Sequence, residues 1–186
     1  MRLWLLVPVL TLAIAMPGFA QDADPQVKAF TTLFGLVKGF VTKAAEKVPE
    51  DVYSFQPTPD VRTFGKVVAH IADANYLMCS KVKGENSPVE MRAIEKTTTT
   101  RADILKALAE SYAYCDAAVA ALTTSTVADK ADFFGMEQTK LSMLGFNLAH
   151  NYEHYGNMVT YMRMKNIVPP SSEPRPAPTS GSQPSN

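Results

Sequence analysis

Three histidines are the residues of this chain best suited to chemistry, because a neutral imidazole nitrogen is a common ligand of divalent metals. The chain has no others, and His150 and His154 are four residues apart in the run HNYEH. Positions four apart share one face of a helix, so both imidazoles can reach one ion at about 2.0 to 2.1 Å. His70 can supply a third nitrogen if its helix neighbours the helix of the pair. The spacing predicts a three-histidine metal site with at least one open coordination position.

Three imidazoles accept several divalent metals, so zinc is the first expectation and nickel, iron and manganese are further candidates. An ion with an open position would polarise a substrate or lower the pKa of bound water or thiol. The leading hypothesis is therefore a metal-dependent enzyme, a hydrolase or a thiol transferase, that acts on a small molecule. No residue identifies itself as the general base. The alternative is a non-catalytic binding or interaction module in which the ion ties two helices together.

Other metal chemistries fit the sequence less well. HNYEH matches the inverted zinc-protease pattern, with Glu153 as general base, but Glu153 is turned about 100° on the helix from His154. Only a short tail follows to supply a further ligand. A di-iron site needs paired Glu-x-x-His motifs, which the chain lacks. Haem binding is disfavoured because no Cys-x-x-Cys-His is present and the histidines cluster.

Ligating imidazoles usually donate their other N–H group to a carboxylate or an amide. Three polar residues lie three positions from a histidine on the same predicted helix and are candidates for this role: Asp73, Asn147 and Asn157.

Apolar residues at helical spacing predict the elements that hold these side chains. No sustained alternation of period two is present, so we expect an all-α four-helix bundle. The stretches 49–60 and 123–139 are polar and read as connections. The predicted helices are 25–47 after Asp24, a second from an Asp60 cap to about Gly84, a third from a Thr100 capping box to Leu122, and a fourth over 140–165.

The two cysteines, Cys79 and Cys115, fall late in the second predicted helix and in the middle of the third. In a protein that leaves the cytoplasm, neighbouring thiols tend to form a disulfide. Two buried free thiols that behave as small apolar residues are equally compatible with the sequence.

The two ends differ in composition from the predicted bundle at 21–168. Residues 1–20 combine a basic start, an apolar run and a small-residue pair, which predicts a signal peptide cut after Ala20. A membrane anchor is the rival, but the run contains Pro8 and is shorter than the roughly 20 residues of a spanning helix. We expect a secreted or periplasmic protein without a membrane anchor after cleavage. Residues 169–186 have little apolar bulk and are predicted to be a disordered tail.

The charges argue against a nucleic-acid partner. The chain has 18 basic and 18 acidic residues. No dense stripe of Lys and Arg is interleaved with aromatic residues, so the sequence has no pattern suited to neutralising a phosphate backbone.

The run FGKVVAHIADAN around His70 and the run HNYEHYGNMVTYMRMKNIVPPS resemble the DinB-like family of helical metal-binding proteins. The resemblance extends from the first predicted helix to Pro170. The last helix and the residues after it carry its most specific part: His150, His154, Gly156, Tyr161, Arg163, Pro169 and Pro170.

This resemblance implies a four-helix bundle, often a dimer, with a divalent metal on His70, His150 and His154. One departure is Asn166, where a Gly commonly ends the last helix; Asn is the next best residue for a left-handed C-cap. The export signal is a second departure. Relatives of known activity, such as thiol-dependent transferases and isomerases, work with cytoplasmic low-molecular-weight thiols.

Overall fold

A computed structural model describes residues 25–174. Four long helices form the bundle: α2 packs against α4 and α5, and α1 packs against the same two helices. The all-α bundle predicted from the sequence is confirmed. The helices are α1 (Pro25–Lys47), α2 (Phe64–Lys83), α3 (Ala93–Thr97), α4 (Arg101–Ala120) and α5 (Lys140–Met164), with β1 (Lys130–Phe133), β2 (Met136–Thr139) and short 3₁₀ helices at Glu50–Ser54 and Pro170–Ser172.

The core lies where the apolar spacing of the four long helices predicts it. Side chains with almost no exposed surface come from all four helices: Val37 and Val41 of α1, Phe64 and Ile71 of α2, Leu108 and Tyr112 of α4, and Leu144 and Met158 of α5. Burial of these side chains fixes the rotation of each helix, and hence the direction in which its polar residues point.

The start of α2 differs from its prediction. The capping residue is Thr63, whose hydroxyl accepts a hydrogen bond from the Lys66 N–H at 3.3 Å, and Asp60 lies in the preceding turn. Asp and Thr are both good caps, and the hydroxyl at 63 is the one adjacent to the first helical residue. The predicted Thr100 cap of α4 and the Gly84 end of α2 are both confirmed.

Two short elements were not expected. The helix α3 lies in a segment without helical periodicity, and an antiparallel hairpin occupies the predicted connection 123–139. Its two-residue loop is Phe134 and Gly135, with φ values of 50° and 80°. Positive φ at both loop residues is typical of a type I′ turn, which usually carries Asn-Gly or Asp-Gly. With Phe in place of Asn, and strands of only four residues, the usual hairpin signal is missing.

The end of α5 has the left-handed cap expected from Asn166. The φ of Asn166 is 57°. The Asn166 N–H donates to the Arg163 carbonyl at 3.0 Å, and the Ile167 N–H donates to the Met162 carbonyl at 2.9 Å. These two hydrogen bonds are those of a Schellman motif.

The packed domain continues past the predicted boundary at residue 168. Pro170 is buried, and Ser171 exchanges hydrogen bonds with the Tyr155 hydroxyl at 2.8 and 3.0 Å. Ser171 is thereby held to α5, and the turn Pro170–Ser172 also contacts α1. The predicted signal peptide, the Asp24 cap and residues 175–186 lie outside the described residues. Within 25–174, no helix has the length and apolar content needed to cross a membrane.

Cys79 and Cys115 form a disulfide that joins α2 to α4, and both residues are fully buried. Of the two alternatives left open by the sequence, the structure has the disulfide. Asn147 of α5 directs its amide at the two sulfur atoms, at 3.8 and 3.7 Å. Asn147, a candidate for contact with a ligating histidine, does not take that role, because its side chain points into the bundle core.

Candidate metal centre

The three histidines converge because α2 and α5 are neighbours in the bundle. Nε2 of His150 lies 3.2 Å from Nε2 of His70 and 3.0 Å from Nε2 of His154. All three rings offer a ligand nitrogen within 4.8 Å of the others. The helical spacing of His150 and His154 aligns the pair along one face of α5, and the packing of α2 adds His70.

The donor set fits a divalent transition metal. Two ligands at about 2.0 to 2.1 Å from a tetrahedral ion are separated by about 3.3 Å, close to the distances between these nitrogen atoms. Nδ1 of His150 is buried and has no hydrogen-bond partner among the described residues. The Nε2 atoms of His70 and His154 both lie close to Nε2 of His150, as ligands of one ion would.

The environment keeps the three imidazoles neutral. The pKa of His70, His150 and His154 is lowered to about 4 each, chiefly by burial and to a smaller extent by neighbouring histidines and Arg62. A neutral imidazole has a lone pair available for a metal, whereas an imidazolium has none. At neutral pH each of the three rings therefore has a lone pair that could bind a metal ion.

The residues expected to support the histidines are only partly those the sequence suggested. The Asn157 amide lies 3.3 Å from Nδ1 of His154, so this contact is confirmed. Asp73 does not contact a histidine. Its carboxylate accepts the N–H groups of Ile94 at 3.0 Å and Glu95 at 2.8 Å, and so holds the first turn of α3.

Glu95 of α3 is the residue that sequence reasoning missed. Its Oε2 lies 3.5 Å from Nδ1 of His70, and its carboxylate accepts hydrogen bonds from Arg62 at 2.9 Å and Arg92 at 3.3 Å. Burial tends to raise the pKa of Glu95, but these two guanidinium groups outweigh burial and hold it below its usual value. No local pattern marks this position, since α3 has a single turn and approaches His70 only in the folded chain.

An open cleft of about 660 Å³ adjoins the triad, and His154 forms part of its wall. Glu153, the base of the rejected zinc-protease pattern, also lines it and is exposed to solvent. A ligand in this cleft would therefore reach the histidine cluster from outside.

The fold and the site together define a helical bundle with a histidine triad built across two adjacent helices. The family model of the DinB superfamily matches residues 41–158, and the chain belongs to this superfamily. The match covers His70, His150 and His154, and the resemblance noted in the sequence is thereby confirmed at the level of the family.

Individual relatives are distant. An uncharacterized protein of Bacillus subtilis, YjoA, is 25% identical over 130 residues, which are 68% of this chain and 82% of that protein. A DinB-like protein of Bacillus cereus has a TM-score of 0.67 at 19% identity, over 77% of this chain and 95% of that one. A mycothiol-dependent maleylpyruvate isomerase has a TM-score of 0.61 at 14% identity, over 71% of this chain and 60% of that one. The structural likenesses establish the fold.

Proposed function

We propose that the protein is a metal-dependent enzyme that binds one divalent ion through His70, His150 and His154. The observation that carries the proposal is the convergence of three neutral imidazoles, one of which, His154, lines an open cleft. A closed structural site has four protein ligands, whereas catalytic sites keep a position open to substrate. Zinc is the first candidate metal, followed by nickel, iron and manganese.

The chemistry is expected to be hydrolysis or transfer to a thiol. A bound divalent ion supplies Lewis acidity, which polarises a substrate or lowers the pKa of water or a thiol toward neutrality. The chain's own part is to hold the three rings in register through Asn157 and Glu95 and to orient a small molecule in the cleft. The thiol-dependent isomerase among the structural neighbours supports the second class of reaction.

We also propose that the protein acts outside the cytoplasm. The predicted signal peptide motivates this, and the disulfide between Cys79 and Cys115 supports it, because disulfides persist mainly in oxidising compartments. A thiol substrate would then have to come from that compartment rather than from the cytoplasmic pool.

Elemental analysis tests the site most directly. Mature protein purified without a histidine tag or chelating resin should hold about one equivalent of metal. A His150→Ala, His154→Ala double variant should hold none, and a Tyr152→Ala variant on the same helix should match wild type. Absence of metal from wild type after reconstitution with zinc, or retention in the double variant, would refute the site.

A non-catalytic module remains the alternative, and the site has one feature that favours it. Glu95, the carboxylate nearest the triad, is engaged by two arginines and is poorly placed to take a proton. In such a module the ion would tie α2 to α5, so chelation would lower the melting temperature strongly, while bound water would not exchange at the metal. Fast exchange of metal-bound water, measured by relaxation with a paramagnetic substitute such as manganese, would favour the enzyme.

A further inference from the structure

The cleft beside the triad is lined by charged side chains of both signs, with a small excess of positive charge. Four basic and three acidic side chains line it, together with neutral polar groups. The charged side chains are Arg62, Lys66, Arg92 and Lys96 on one hand, and Asp60, Glu95 and Glu153 on the other.

The buried carboxylate is shared between two guanidinium groups. Glu95 is 8% exposed, and it accepts hydrogen bonds from Nε of Arg62 at 2.9 Å and Nε of Arg92 at 3.3 Å. The single negative charge of Glu95 positions both guanidinium groups but neutralises only one of their two positive charges. Each guanidinium also has five N–H donors, so both keep donors for a further acceptor.

Lys66 adds a cation whose described contacts are with neutral oxygens. Its Nζ donates to the carbonyl of Glu95 and, at 3.5 Å, to the carbonyl of Thr98. Two carbonyls orient the ammonium without cancelling its charge, and one of its three donors remains. The acids that could offset it, Asp60 and Glu153, are exposed to water, where their charge is well screened.

We propose that this cleft is the binding site for a small organic anion, held through a carboxylate or phosphate group by Arg62, Arg92 and Lys66. Guanidinium groups match the geometry of both anions. The cleft volume lies in the range of small-molecule sites. This inference rests on the proposed function, because the ion on the triad would add positive charge to the same cleft.

Calorimetric titration of the full mature protein tests the proposal with succinate as the probe and neutral succinamide as its matched control. Metal-free and zinc-loaded samples are titrated in parallel, and zinc content is measured on each. Succinate should bind, succinamide should not, and zinc should strengthen the binding. A parallel arm with phenyl phosphate identifies the preferred anion, and tight binding of either anion supports the proposal.

The variants separate a binding role from a purely structural one. Lys66→Met and Arg92→Gln should each lower the affinity for the anion by about tenfold or more, as expected for loss of a charge-assisted hydrogen bond. Lys106→Met, on the surface of α4, should leave it unchanged. Circular dichroism melting shows which variants are folded; if Lys66→Met unfolds, the exposed Arg92 decides the outcome.

Three results would overturn the proposal. They are binding of both anions no tighter than that of succinamide, no binding of either anion by wild type that retains zinc, and unchanged anion affinity in folded Lys66→Met and Arg92→Gln. Failure of the metal site gives a different result, since zinc would then be absent while anion binding in the metal-free samples would still depend on the basic residues.

Discussion

At the scale of single residues, Glu95 links the triad to the rest of the cleft. Its carboxylate faces Nδ1 of His70 and accepts hydrogen bonds from Arg62 and Arg92. Its backbone N–H donates to the carboxylate of Asp73. A carboxylate behind a ligating imidazole orients the ring and raises its basicity. Glu95 is thus placed to orient His70 toward the proposed ion.

We expect Glu95→Gln to lower zinc affinity by about 10- to 100-fold while the bundle stays folded, because the neutral amide no longer supports His70. Competition with a chromophoric chelator measures this affinity. Glu90→Gln, an exposed position on the same connection, is the matched control. Wild-type affinity in Glu95→Gln would show that the 3.5 Å approach has no role in metal binding.

The histidines also set a pH dependence of the metal-free protein. Their folded pKa of about 4 lies below the ordinary value of 6.5, so the unfolded chain binds protons first as pH falls. Stability is therefore full above pH 6.5 and is lost on acidification toward pH 4. Discounted for partial exposure, the loss by pH 5 is on the order of 3 kcal/mol.

Urea unfolding in chelator at pH 7 and pH 5 measures this loss. A variant with all three histidines replaced by Gln should lose less stability between the two pH values by about that amount. The two proteins share every other titrating group, so the difference isolates the triad. Equal pH slopes would mean that the imidazoles are not held neutral by the fold.

At the scale of elements, the hairpin β1–β2 illustrates how a local rule can be broken. Phe134 occupies a left-handed position that favours Asn or Gly, and its side chain is 65% exposed. Its ring is tilted against the ring of Phe133, with the two centroids 4.7 Å apart, and the Phe133 centroid lies 5.1 Å from that of Phe146 in α5. The contact between Phe133 and Phe146 joins the hairpin to α5.

Phe134→Asn should stabilise the hairpin by up to about 1 kcal/mol, because Asn tolerates positive φ at this turn position. The melting temperature should then rise by a few degrees. Phe134→Val is the opposing control, since a β-branched residue is strained at this φ, and it should lower the melting temperature. A fall in both variants would show that the aromatic contacts outweigh the backbone preference.

At the scale of the whole molecule, the disulfide ties two of the four bundle helices at the centre of the core. It closes a loop with a sequence separation of 36 residues between α2 and α4. In the chain-entropy treatment, a cross-link across that separation lowers the entropy of the unfolded chain and so raises the free energy of unfolding by about 3 to 4 kcal/mol.

A Cys79→Ala, Cys115→Ala variant should lose stability of about that size in urea unfolding, and wild type measured in reductant should lose a similar amount. Thiol titration of unfolded wild type checks the bond itself. Equal thiol counts with and without reductant would contradict the disulfide.

The sequence by itself determined the helices and the identity of the triad. Apolar spacing located the four long helices, and the four-residue separation of His150 and His154 placed their rings on one face. These features are local, because helical periodicity acts within a few turns of one segment. The left-handed conformation of Asn166 at the end of α5 is likewise a local feature that its residue type predicts.

Only the tertiary structure decided what surrounds the triad. Glu95 reaches His70 because a single-turn helix, without periodicity of its own, docks on Asp73 of α2. Asn147, one turn from His150, faces the disulfide instead of the site. Pro170 is buried although its segment is polar. In each case contacts between residues distant in the chain, rather than local preference, determine the position of the side chain, and no short window of sequence contains both partners.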